Sequence, residues 1–121
     1  MLKLIEGLPV NVVGITAEGK ITGADYENVL IPLIEEKLKA NKTIKMLYQL
    51  GNTFEGFSLR AMLDDAKIGI KHLSVWDKIA IVSDHEIINA MVRFFGHLFS
   101  GELRIFKNEE IEDARKWIIE K

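Results

Sequence analysis

The sequence contains no cysteine, which excludes disulfides, thiolate metal sites and cysteine nucleophiles at once. Proline is scarce, with two in 121 residues, and one of them, Pro32, falls inside an otherwise helical stretch. No apolar run approaches the ~20 residues that a membrane-spanning helix needs. The first residues, Met1 to Gly7, lack the basic segment and long apolar run of a secretory signal. Neither sign of charge dominates: 16 Lys and Arg against 18 Asp and Glu leave a net charge of −2. The two signs are mixed along the chain rather than gathered into the basic stripe that a nucleic-acid backbone requires. A Walker loop and a G-x-G-x-x-G fingerprint are both missing, and Gly56-Phe-Ser58-Leu-Arg60 lacks the last glycine of a nucleophile elbow. The expected protein is cytoplasmic and non-spanning, with no cofactor, no metal and no nucleic-acid partner.

What is present is a core: 48% of the residues are hydrophobic, enough for a chain of this length to fold without covalent staples. Two short strands are expected first, at 2–6 and 11–17, with Gly14 as a candidate bulge. Thr22 to Asp25 reads as a helix entrance with a capping side chain. The helix then runs from about 24 to 39, with a kink expected at Pro32. In 44–50, Ile44, Met46, Tyr48 and Leu50 alternate with Lys45, Leu47 and Gln49, which predicts a strand. A second helix begins near Ser58; Leu59, Met62, Leu63, Ala66, Ile70 and Leu73 share one arc, expected to pack on the sheet. The run 78–83 reads as a strand covered on both faces. Ser83 and Glu86 suit a capping box, opening a third helix to about Phe99. A fifth strand at 102–106 and a last helix carrying Ile111, Ala114, Trp117 and Ile118 complete the chain. The expectation is one α/β domain over residues 1–121. It has a mixed, mostly parallel five-stranded sheet and about four helices in the order ββαβαβαβα.

This order resembles the STAS fold of anti-sigma-factor antagonists, and the local words resemble the SpoIIAA-like family. The residues that carry the resemblance are 19–26 (GKITGADY), 64–72 (DDAKIGIKH), 76–84 (WDKIAIVSD), Phe95-Gly96 and Gly101-Glu102. In the sporulation antagonists a phosphorylatable serine follows the third strand within Asp-x-Ser-Gly. Here the junction reads Leu50-Gly-Asn-Thr-Phe-Glu-Gly-Phe-Ser58, so the resemblance does not extend to that phosphorylation. The family is also similar in fold to lipid-binding CRAL-TRIO domains, which implies an apolar ligand or a membrane surface by analogy.

The third helix is the sharpest feature. Ile87, Ala90, Met91, Phe94 and Leu98 form one apolar stripe; Ile88, Val92, Phe95 and Phe99 form a second, turned by about 100°. One stripe docks a helix on a sheet. The other needs a neighbouring helix, a second subunit, an apolar ligand or a membrane. Phe54 and Phe57, between glycines, are either a lid over the strand ends, where open α/β sheets bind ligands, or aromatics tucked into the core. The residues assigned to a ligand or an interface are therefore Ile88, Val92, Phe95, Phe99, Phe54 and Phe57. Asp64 and Asp65 diverge on a helix and are expected to pair with Arg60, Lys67 or Lys71. His72, His85 and His97 lack the spacing of a helical metal site. The function expected is a non-enzymatic STAS-like binding module for an apolar small molecule, a lipid or a membrane surface. The alternatives are a homodimeric regulatory interaction module that works without serine phosphorylation, and an enzyme using Asp64, Asp65 or His72 around a pocket.

Overall fold

The strands are β1 (Leu2–Leu4), β2 (Val12–Ala17), β3 (Lys20–Ile21), β4 (Ile44–Leu50), β5 (Gly56–Phe57), β6 (Trp76–Val82) and β7 (Glu102–Phe106). The helices are α1 (Gly23–Asp25), α2 (Ile31–Ala40), α3 (Leu59–Lys71), α4 (Glu86–Phe95) and α5 (Ile111–Ile119). These come from a computed structural model that describes residues 1–71, 74–96 and 101–120, and for residues 69–71 and 95 the backbone only. A π-helical turn, Tyr26–Leu30, joins α1 to α2, so 23–40 is one helical stretch and the described chain has four.

The sheet order is β1-β2-β4-β6-β7. β1 is antiparallel to β2 and the remaining pairs are parallel. Each parallel crossover steps the same way across the sheet, so right-handed connections put α2, α3 and α4 on one face. The strand alternation supplies both interiors. Val13, Ile15, Ile44, Met46 and Tyr48 pack with Tyr26, Leu30 and Ile34 on that face. Val12, Leu47, Ala80, Val82 and Phe106 pack with Ala114 and Ile118 of α5 on the other. A two-residue parallel ladder, β3 with β5, lies outside the main sheet.

Lys45 and Lys78 sit on the α5 face and are almost wholly buried. Their ammonium groups donate to the carbonyls that end α5: Lys45 Nζ to Glu120 O at 2.7 Å, and Lys78 Nζ to Trp117 O at 3.1 Å and to Glu120 O at 3.2 Å. Cations at a helix C-terminus satisfy orphan carbonyls and oppose the dipole. Two apparently misplaced charges thereby fasten the last helix.

Several local expectations are corrected. Gly14 marks no bulge, because its pairing with β4 is regular and the register shift lies at Ile44/Lys45. It is glycine because Leu8 and Ile5 press on it: a Cβ there would sit 2.3 Å from Leu8 Cδ1 and 3.1 Å from Ile5 Cβ. Pro32 stands in the first turn of α2, directly after the π turn, where Ile31 N–H reaches back to Tyr26 O. The widened turn takes up the proline in place of a simple break. The Thr22 entrance is as expected: Thr22 N–H donates to Asp25 Oδ2 at 2.8 Å, and Asp25 N–H to Thr22 Oγ1 at 3.3 Å. Ser83 and Glu86 form no capping box; the N-cap of α4 is His85. Ser83 is buried at the strand end, where its Oγ accepts from His85 N–H and its carbonyl accepts from Asn89 Nδ2.

Candidate functional site

α3 is inverted relative to its expected arc. Leu59, Met62, Leu63 and Ala66 face solvent, Leu59 at 74% exposure, whereas Ala61, Asp64 and Ile68 are turned inward. Polar chemistry holds it in this orientation. The Tyr26 hydroxyl donates to Asp65 Oδ1 at 2.9 Å and lies 3.0 Å from the Tyr48 hydroxyl. Arg60 pairs with Glu27 on the π turn. Among the described residues neither Asp64 nor Asp65 forms the expected ion pair: Asp65 is engaged by Tyr26 and Arg60 by Glu27, both on the first helical stretch, and the Lys71 side chain lies outside the described residues. Asp64 is 7% exposed and its Oδ2 has no hydrogen-bond partner among the described residues. Ser58 Oγ accepts from Ala61 N–H at 3.1 Å, the role of an N-cap.

The electrostatics follow from this geometry. Burial, and next the neighbouring Asp65 charge, raise the Tyr26 hydroxyl well above its ordinary value of 10.0. Burial also pushes the Tyr48 hydroxyl up. Burial raises the Asp65 carboxyl, and the Tyr26 hydrogen bond only partly offsets the rise; the residue keeps an exposed edge, so solvent damps the effect. At Asp25 burial acts upward, but hydrogen bonds from Thr22 and the adjacent amino terminus prevail and lower the carboxyl.

α4 is also oriented opposite to its sequence assignment. Ile88 and Val92 are half-buried, and Ile88 packs on the core under the helix. The stripe turned to solvent is Ile87, Ala90, Met91 and Phe94, with Ile87 at 71% and Phe94 at 72% exposure. The physical reason is Asn89: its side chain must reach Ser83 O, which rolls its neighbour Ile88 toward the sheet and Ile87 away. The Phe95 side chain lies outside the described residues, as do Phe99, Leu98, His97, His72 and Leu73. Among the described residues, two successive helices on one face of the sheet thus both turn large apolar side chains outward. Reading each helix alone could not assign that orientation, although the excess of apolar residues on both was visible.

Phe54 and Phe57 pack on the core cluster, ring centroids 5.0 Å apart. Phe54 also walls a cavity of about 270 Å³ at the carboxyl ends of β4 and β6, with Asn52, Ser83, Asp84, His85 and Asn108. Asn108 ties this end together: its Nδ2 donates to Leu50 O at 3.1 Å and to Asp84 Oδ2 at 3.2 Å, its N–H donates to Asp84 Oδ1, and its Oδ1 accepts from Gln49. His85 meets the edge of Phe54 at 5.9 Å. Among the described residues, no group of three His, Asp or Glu is placed to hold a metal, and no helix is long and apolar enough to cross a membrane.

The SpoIIAA-like family model matches residues 12–119. No curated protein matches. Among solved structures, the chain is similar to an uncharacterized protein from the DUF3478 family with a SpoIIAA-like fold, from Shewanella loihica PV-4. The two are 29% identical, with 98% of this chain and 92% of that one covered and a TM-score of 0.75. With the mixed five-stranded sheet, the helix-covered face and the match across nearly the whole length, this chain belongs to the SpoIIAA-like family.

Proposed function

We propose that the protein is a non-enzymatic binding module that takes a lipid or lipid-like apolar molecule through the outward faces of α3 and α4. The observation that carries this reading is the set of exposed large apolar side chains there: Leu59, Met62 and Leu63 on one helix, Ile87, Met91 and Phe94 on the next. Each helix turns three large apolar side chains outward, more than the singly scattered apolar residues that a protein surface ordinarily carries. Met supplies a contact surface that adapts to shape. Against catalysis, Asp65 is engaged by Tyr26 and both Asp84 oxygens by Asn108, so neither carboxylate is poised as a free base.

The test is co-sedimentation with phosphatidylcholine vesicles, with and without phosphatidylglycerol, alongside native mass spectrometry of gently purified protein. The expected result is vesicle association or a retained apolar adduct. Burying one large side chain contributes about 1.5–3 kcal/mol, so Ile87→Asp or Phe94→Asp should weaken vesicle binding roughly tenfold or more. Wild-type protein that neither sediments with vesicles nor carries an adduct overturns the reading. A dimer that Phe94→Asp dissociates would instead make this face a homodimer seam.

A further inference from the structure

We propose that β7 is a self-pairing edge: two copies of the chain join β7 to β7 antiparallel, with the two-fold axis at Leu103, making one continuous sheet. β7 ends the strand order, and no described residue pairs with its outer side. Its hydrogen-bonding register is set by the inner side. Phe106 O accepts from Ser83 N–H, and Phe106 lies opposite Val82, so Phe106, Arg104 and Glu102 direct their backbone groups toward β6. Alternation along a strand then leaves Leu103 and Ile105 presenting N–H and C=O outward.

That pattern selects a register. A two-fold at Leu103 makes Leu103 and its copy a hydrogen-bonded pair that exchanges both N–H···O bonds. Ile105 falls opposite Gly101 of the second copy, the residue just before its strand begins. Glu102 falls opposite Arg104 of the second copy in a narrow, non-hydrogen-bonded pair, the arrangement in which side chains come closest. The two-fold makes this contact twice. Centring on Glu102 or Arg104 would set like charges face to face, a destabilising arrangement.

Neither Glu102 nor Arg104 forms an ion pair among the described residues. The Arg104 guanidinium lies over two rings, 4.8 Å from that of Phe106 on β7 and 5.4 Å from that of Trp117 on α5. Edge strands usually carry charge to repel other edges; a Glu and an Arg two residues apart around a leucine are complementary to their own copy instead. The opposite edge differs, since on the three-residue β1 the charge of Lys3 is already taken by Glu18 at 3.1 Å.

The experiment is sedimentation equilibrium of the full chain over a range of concentrations, with amide exchange followed by NMR. The expected result is a monomer–dimer equilibrium in the micromolar range, as a small interface gives. Glu102→Arg alone and Arg104→Glu alone should each weaken dimerisation at least tenfold, and the double variant carrying both should restore it, because the swapped charges again face each other. The Leu103 and Ile105 amides should become protected as the concentration rises, while the Arg104 amide, bonded to β6, stays protected throughout. A chain that remains monomeric up to millimolar concentration overturns the proposal. So does a dimer unaffected by either single reversal, or one in which the Leu103 amide exchanges freely. These outcomes are independent of vesicle binding, which reads the α3 and α4 face.

Discussion

Leu47→Ala should destabilise the fold by about 2–5 kcal/mol, the range for removing a large aliphatic side chain from a packed core. Leu47 is 0% exposed and stands in β4, the middle strand, with β2 and β6 on either side. Its side chain enters the cluster formed with Ala80, Val82, Ala114 and Ile118, so the vacancy would open between sheet and α5. Both neighbouring strands are pinned by parallel hydrogen bonds and α5 is fastened by Lys45 and Lys78. The site can therefore collapse little, which places the cost toward the upper part of the range. Urea unfolding followed by circular dichroism measures it: the midpoint should fall with the slope unchanged. A loss below about 1 kcal/mol would show that α5 settles onto the sheet freely.

Tyr26→Phe should cost about 1–3 kcal/mol, although it removes one oxygen and leaves the ring in place. Tyr26 is 1% exposed, and its hydroxyl joins Tyr48 to Asp65. Without it, buried Tyr48 and the partly exposed Asp65 lose a contact together, and an unmade bond costs more than a made one contributes. Asp65→Asn should cost less than Tyr26→Phe, since an amide oxygen still accepts from Tyr26. The pH dependence separates the two further. The Asp65 carboxyl is raised in the folded chain, so the native state takes up its proton first. Its contribution therefore grows more favourable as pH falls from its folded value toward the ordinary carboxylate range near 3.9. Asp25, lowered in the folded chain, acts oppositely: its stabilisation is present above the ordinary range and is lost as pH falls through its folded value. Asp65→Asn should abolish the first effect and leave the second. Thermal melts across the acid range read this directly, and an acid limb identical to wild type would disprove the role given to Asp65.

The strands were the legible part. Ile44, Met46, Tyr48 and Leu50 alternate with Lys45, Leu47 and Gln49 so cleanly that the strand and its two faces follow, and parallel pairing follows from helices between strands; the strand order β1-β2-β4-β6-β7 does not. Helix orientation was not legible. The period of α3 shows that Leu59, Met62 and Leu63 share a face, but not whether that face meets the sheet. The decision belongs to the Tyr26 hydroxyl, far away in sequence, which claims Asp65 from the other side. In α4 the same decision falls to Asn89, whose bond to a strand-end carbonyl sets which of two apolar stripes turns outward. Short-range capping was legible where both members lie on one turn, as at Thr22 and Asp25. It failed at Ser83, which the end of β6 had already buried. Phe54 shows the remaining limit: its loop was recognisable, whereas its cavity depends on Asn108 arriving from beyond the last strand.

The parallel sheet also governs the order in which a chain leaving the ribosome can assemble. Only β1 and β2 are close enough in sequence to meet early. Val12 must wait for Lys45, Ile44 for Trp76, and Lys78 for Glu102, each across a connection whose closure entropy is lost before any strand contact is gained. Until β7 has been synthesised, β6 is itself a bare edge, and α5, whose end the two buried lysines hold, follows β7. The emerging domain therefore stays an open half-sheet until β7 is available, and α5 is what seals the second face.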